Sequence, residues 1–238
     1  MTVRRTFVDL AVALVAIAGI ALVLEVWTRV MSVPSYLLPA PSAVGARMAA
    51  DAGLLAREGG VTLSEAAAGF VLGTSVAFVL ATVMASSRPL ERTLFPLAIL
   101  VKLTPIVAIA ALITFFPMLV NSFVGLRSAD LQEVAFLETL GASGREIFRH
   151  LRVPSALPYL FSGARISLNL ALIGAVIGEW TGADRGLGRV IFVANANLDL
   201  TILFGAVLVL AAIGIAANAF VGAAERRLLH WHPIAVAT

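Results

Sequence analysis

The chain has 238 residues, of which 60% are hydrophobic and 13% charged, with a formal net charge of +3 and a mean hydropathy of +0.99. Soluble domains carry about 45–50% apolar and about 25% charged residues, so too little polar surface remains here to coat a water-soluble globule. The composition excludes a cytosolic enzyme, a nucleic-acid binder and a disordered tail, and it indicates an integral membrane protein.

A spanning helix takes about 20 apolar residues, so the length allows roughly five to seven crossings. The first predicted span covers about residues 8–28, where the apolar run Leu10–Leu24 lies between Arg4 and Arg5 on one side and Glu25, Trp27 and Arg29 on the other. No small-x-small cleavage site follows the run, so a retained helix is expected rather than a signal peptide. Pro34, Pro39 and Pro41 then bar continuous helix, and a short helix from Ser42 to about Arg57 is expected after them. The second span covers about 61–85 and is ended by Ser86-Ser87-Arg88-Pro89. A third apolar stretch, 94–120, is interrupted by Lys102, Pro105 and Pro117. Residues 121–153 are the most polar part of the chain, with a cytoplasmic segment expected over 127–154. Spans at about 159–180 and 202–221 follow, separated by a loop with Gly, Asp and Asn. The whole reads as one domain over 1–238, all-α and polytopic, with about five or six spans.

Cysteine is absent, which removes disulfides, iron–sulfur ligation and thiol chemistry. His150, His230 and His232 are too few and too scattered for a metal cluster. All basic residues but Lys102 are arginine; spread over loops, they read as determinants of orientation. The positive-inside rule puts Arg4/Arg5, Arg88/Arg92, residues 127–152 and Arg226/Arg227 in the cytoplasm, with both termini, and faces Arg47/Arg57 and Arg185/Arg189 outward. Residues 86–92 and 127–152 then share a side, so the stretch between them crosses twice or not at all. Two crossings take about 40 residues, more than 94–120 supplies. A re-entrant pair of half-helices, an interfacial helix or a shortened chain would each reconcile the two.

The polar segment carries local signals. A helix through Leu140 meets Gly141, the residue type that best adopts a left-handed C′ conformation. Ser143-Gly-Arg-Glu146 fits a capping box. A second short helix is expected, with Ile147, Phe148 and Leu151 on one side, stopped at Pro154. Two short helices at a sharp angle suit either rest on the lipid headgroups or insertion into a groove on a cytoplasmic partner.

At these residues the chain resembles the permease subunit of ATP-binding cassette importers. Those subunits carry a cytoplasmic motif of Glu-Ala-Ala, three residues, Gly, nine residues and Ile-x-Leu-Pro. Gly141, nine residues and Leu151-Arg152-Val153-Pro154 keep its second half in register. The first half departs: Glu133-Val134-Ala135 lies eight residues before Gly141 rather than six, which puts Ala135 in register and displaces Glu133. Leu38-Pro-Ala-Pro-Ser42, Phe115-Phe-Pro-Met-Leu-Val-Asn-Ser122, Gly125-Leu-Arg-Ser128 and Gly178-Glu-Trp-Thr-Gly-Ala-Asp-Arg-Gly-Leu-Gly188 are similar to the branch importing nitrate, sulfonates, taurine, thiamine pyrimidines or riboflavin-type compounds. Members usually have a longer stretch between the equivalents of Ala110 and Ala111, making two spans there, so a deletion is expected in this chain.

The resemblance implies a MetI-like transmembrane helical bundle that is a transport subunit and not an enzyme. Its implied partners are separate ATP-binding cassette ATPase subunits, an extracytoplasmic solute-binding protein, a second permease copy and the lipid membrane, with no nucleic acid. The implied ATPase contacts are Glu138, Leu140, Gly141, Ala142, Ser143, Glu146, Ile147, Leu151 and Pro154. No cofactor or metal is expected, and no Gly-x-x-x-x-Gly-Lys-Ser/Thr loop is present to hold nucleotide.

Three residues are candidates for the solute pathway, each with a structural alternative. Asn121 lines the pathway or ends a helix; Asn169 lines it or bonds a neighbouring helix; Glu179 lines it or anchors a span end. Lys102 snorkels or meets the solute. Gly174-Ala-Val-Ile-Gly178 serves packing or pairing of copies. A membrane enzyme would need convergent catalytic groups within the spans, and a self-contained secondary transporter paired repeats and buried coupling charges; the sequence offers neither.

Overall fold

The computed structural model describes residues 2–86 and 109–229, and every regular element among them is helical. In chain order they are α1 (Thr2–Val30), α2 (Pro41–Ala50), α3 (Ala52–Ser86), α4 (Ile109–Leu126), α5 (Leu131–Thr139), α6 (Gly144–Ile147), a π-helical turn (Phe148–Arg152), α7 (Val153–Trp180), α8 (Leu187–Ala196) and α9 (Leu200–Leu228). Among the described residues, four stretches are long and apolar enough to cross a membrane: α3, α4, the helix Gly144–Trp180 that ends in α7, and α9. α1 covers the first predicted span; Val12, Val15, Ile17 and Ile20 on it are exposed, as suits a helix facing lipid.

The bundle is built around α4, which lies between α3 and α7. Helices in lipid gain little from apolar burial, so they associate where small side chains let backbones approach. A methyl group at Gly174 of α7 would stand 2.5 Å from the Cα of Ala110, and one at Gly69 of α3 would stand 2.7 Å from the Cβ of the same residue. At the other end of α4, Gly163 accommodates Asn121 and Gly125 accommodates Tyr159. Ala77, Ala81, Met84, Phe115, Met118, Leu119, Leu126 and Ala156 form the core between these contacts. The buried Ser167 hydroxyl donates to the Thr114 carbonyl at 2.9 Å, tying α7 to α4. A methyl group at Gly178, by contrast, would meet nothing within 4 Å, so only the first glycine of Gly174–Gly178 serves close packing inside the chain.

α4 runs in the same direction as α3: its first turn meets Gly69 and Gly73, and Leu126 stands with Ala85 and Ser86 around one cavity. The ends of residues 86 and 126 therefore lie together, at what we term the elbow end. Ala110 and Ala111, between which a deletion was expected, are consecutive within one helix. Lys102, Pro105, Arg88, Arg92 and residues 94–108 of the third apolar stretch lie outside the described residues, as do His230 and His232.

Four expectations change. The short helix predicted for 42–57 stops at Ala50, and residues 52–60 belong to α3. Its N-terminus is held by a distant group: Glu25 of α1 accepts from the Ser42 amide at 2.9 Å and its hydroxyl at 2.7 Å. Pro154 does not stop a helix; it sits in the first turn of α7, after a turn in which the Val153 amide reaches back to the Phe148 carbonyl. Proline clashes with the carbonyl four residues earlier in a regular α-helix, and the wider π turn gives it room. The loop predicted between the last two spans contains α8. Arginine is not confined to loops either, because Arg165 stands in the middle of α7.

Gly174→Ala is expected to cost about 1–3 kcal/mol through overpacking against Ala110. Gly60→Ala, on an open helix face, should instead gain up to about 1 kcal/mol of helix propensity. Thermal unfolding of the two variants in detergent checks the opposite signs.

Candidate functional site

At the elbow end each turn is specified by its own residues. Asp130 caps α5, its carboxylate accepting from the Gln132 amide at 2.8 Å. The helix ends in paired backbone bonds, Gly141 amide to Glu138 carbonyl at 3.0 Å and Ala142 amide to Leu137 carbonyl at 3.1 Å. This closure needs a left-handed residue, and Gly141 supplies it with φ of +79°. The next helix starts at once. Ser143 accepts from the Glu146 amide at 3.3 Å, and the Glu146 carboxylate accepts from the Ser143 amide at 2.8 Å: the expected capping box is present.

Ile147 is buried beneath the elbow and so anchors it, whereas Glu138, Leu140, Gly141, Ser143 and Glu146 are exposed. Ala142, Leu151 and Pro154 are half-buried. Leu131, Phe136 and Leu140 of the elbow point apolar side chains outward, the last two 62% and 67% exposed. Beyond the π turn, α6 runs into α7 without interruption, so the second arm of the elbow is the end of a long helix and not a free-standing short one.

At the opposite, distal end a second site appears that local sequence signals miss. α8 begins with three consecutive backbone amides, and each meets a side chain from another helix. The Gly186 amide donates to Glu58 at 2.8 Å, the Leu187 amide to the Thr62 hydroxyl at 2.8 Å, and the Gly188 amide to Glu179. A helix N-terminus leaves such donors unpaired and carries a partial positive charge, so two carboxylates and a hydroxyl suit it. Thr62 is fully buried and Glu179 is 1% exposed. Glu58 also pairs with Arg57 at 3.0 Å and Arg185 at 3.7 Å. Gly186 has φ of +108°, and a Cβ there would enter the Glu179 carboxyl group. The same end holds a cleft of about 480 Å³ between Arg47, Arg57, Asp184, Arg185, Arg189 and Asp199. Both loops expected to face outward thus meet at one end of the bundle.

The three pathway candidates do not converge. Asn121 lies inside α4, does not end it, and donates to the Pro117 carbonyl at 2.8 Å; it packs on Gly163 of α7. Glu179 caps α8. Asn169 is exposed on α7 and accepts from Asn218 of α9 at 2.6 Å. Sequence reading missed Glu58, Thr62, Gly186, Arg165 and Glu225; a charged residue within an apolar span was the available signal for Arg165.

Residues 20–230 match the family of binding-protein-dependent transport system inner membrane components, and the chain belongs to that family. It is similar to a probable ABC transporter permease protein of Haemophilus influenzae, 31% identical over 217 residues that cover 82% of this chain and 89% of the relative. The formylaminopyrimidine transport permease protein ThiX of Halalkalibacterium halodurans is 31% identical over 226 residues, 87% of this chain and 90% of its own. The riboflavin transport system permease protein RibX of Chloroflexus aurantiacus is 34% identical over 220 residues, 83% and 81% of the two chains. The protein is therefore a multi-pass membrane permease subunit of an ATP-driven importer, not an enzyme. Its system includes a separate ATPase and a substrate-binding protein.

Thr62→Val leaves the Leu187 amide buried without an acceptor, at a cost of about 1–3 kcal/mol. Ser64→Ala, on the exposed side of α3, is expected to change little. Comparing their unfolding midpoints in detergent tests whether α8 is held by this cap.

Proposed function

We propose that the elbow around Gly141 is the surface gripped by the ATPase, and that the elbow end faces the cytoplasm with both termini. The distal end, with α8 and its arginine-lined cleft, then faces the solute-binding protein. One observation carries this reading: a sharply capped turn with exposed apolar tips is fused, through a π turn, to a membrane-crossing helix. Exposed Phe136 and Leu140 on a rigid support suit a groove in a water-soluble partner. The charges around them, Glu138, Arg145, Glu146 and Arg149, keep the elbow out of the bilayer.

Two identical copies pair across the membrane in this reading, and the solute passes between them. The face of α7 that bears Asn169 supports this, since polar side chains at membrane depth face protein or water rather than lipid. Closure of the ATPase subunits pushes on the elbow. Because α6, the π turn and α7 form one helix, the push reaches Glu179 and the α8 cap, turning the pathway from inward-facing to outward-facing as a rigid-body movement. The solute is a small organic or anionic compound of the sulfonate, nitrate or vitamin-precursor kind; the formylaminopyrimidine and riboflavin transport for which two of the relatives are named supports the vitamin-precursor kind. Asn121 is a packing residue of α4 in this arrangement, and Glu179 a positioning residue for α8.

Gly141→Val forces a β-branched residue into left-handed backbone at a cost of about 1–2 kcal/mol. Membrane insertion should be unaffected while recovery of the ATPase with the tagged permease falls about tenfold. Undiminished co-purification would count against the elbow as the coupling element.

A further inference from the structure

The seam between α7 and α9 is a ladder of facing residues. Leu172 packs on Gly214, Asn169 meets Asn218, and Arg165 lies over Gly222 and pairs with Glu225. The lower rungs are polar. Arg165 is 12 residues past the start of α7 and 15 before its end, about 18 and 22 Å along the helix. Glu225 lies three residues before the end of α9, beside Arg226 and Arg227, so the pair stands toward the elbow end of the bundle. The Arg165 side chain is 46% exposed, and that of Glu225 only 19%. Ser162 and Asn169, one turn to either side on the same face, are exposed too. Many exposed positions elsewhere on the bundle are apolar, among them Leu72, Val76 and Val79 on α3 and Val207, Leu208, Ile215 and Phe220 on α9, although Ser64, Glu65 and Ser75 of α3 are exposed polar residues.

We propose that Arg165 is the anion-reading residue of the solute pathway and Glu225 its resident counter-ion. This rests on the reading that the Asn169 face lines the pathway between two copies. Glu225 holds the guanidinium through Nη2, leaving the rest of the five-donor fork toward the open face. Asn169 accepts from Asn218 through its oxygen, which leaves its amide N–H groups available to donate. A passing carboxylate, sulfonate or phosphate group meets a planar fork suited to two parallel hydrogen bonds, flanked by a neutral donor. Glu225 keeps the site compensated when empty and competes for the fork when it is filled. The solute anion is thus exchanged for a protein carboxylate rather than trapped on a bare cation.

The cysteine-free chain permits a direct test in the assembled permease–ATPase complex in vesicles. Single cysteines at Ser162→Cys and Asn169→Cys are labelled with an anionic methanethiosulfonate ethylsulfonate probe and its cationic trimethylammonium analogue. Both positions should react, with the anionic probe favoured. Arg165→Gln should lower the anionic-to-cationic rate ratio about tenfold, and Glu225→Gln should raise it. If Arg165→Gln fails to assemble, Glu225→Gln alone decides the matter, because it uncovers the guanidinium. Reactive cysteines with a ratio indifferent to both substitutions overturn the role of Arg165 and leave the pathway face standing. Cysteines that react with neither probe, in a complex that still binds its ATPase, overturn the pathway face and the proposal together.

Discussion

The helix that runs from Gly144 to Trp180, 37 residues without a break, sets what the rest of this molecule can do. At 1.5 Å per residue it is about 55 Å long, enough to cross the hydrocarbon and extend beyond it. Its continuity is not automatic, since Pro154 and Pro158 lie within it. Pro154 removes an amide donor and crowds the preceding turn, and the π turn Phe148–Arg152 absorbs the strain by one wider loop of backbone. A hinge there would let the elbow swing without moving the span. Because the helix continues from Gly144 to Trp180, the proposed push on the elbow would be carried along it toward Glu179.

The two ends of that helix are built on opposite principles. At the elbow the caps are local: Asp130, Gly141, Ser143 and Glu146 act within four residues of the turns they form. At the distal end the caps come from far away, Glu58 and Thr62 from α3 and Glu179 from α7. A local cap makes a stiff knob that keeps its shape while exposed. A cap assembled from two other helices makes a joint, so that α8 moves only with α3 and α7.

The same distinction explains how much was legible in the sequence. Apolar runs located the long helices, because the bilayer demands uninterrupted backbone bonding and thus uninterrupted apolar sequence. The Gly141 closure and the Ser143–Glu146 box were legible because both partners sit within a few residues. α8 was not: Gly186 has no capping side chain of its own, and its ten residues carry no helix-start signal. Pro154 misled for a related reason, since whether a proline ends a helix depends on the turn before it. Asn121, Asn169 and Glu179 were each singled out as polar residues in apolar surroundings, but residue type alone does not say which neighbour absorbs the polarity. One packs on a glycine, one pairs with an asparagine, and one caps a helix. Arg165 and Glu225 become meaningful only when α7 and α9 are laid side by side.

The bond between Glu58 and the Gly186 amide joins residues 128 positions apart, and this bears on biogenesis. When α3 enters the bilayer, most of the partners of its Glu58 and Thr62 have yet to be synthesised. Glu58 must keep its hydration shell through that interval, because an unpaired carboxylate is costly to bury. The shell is shed only when the Gly186–Gly188 turn arrives and replaces water with amides. Dehydration of Glu58 at the distal end therefore comes late, after the elbow residues have been synthesised.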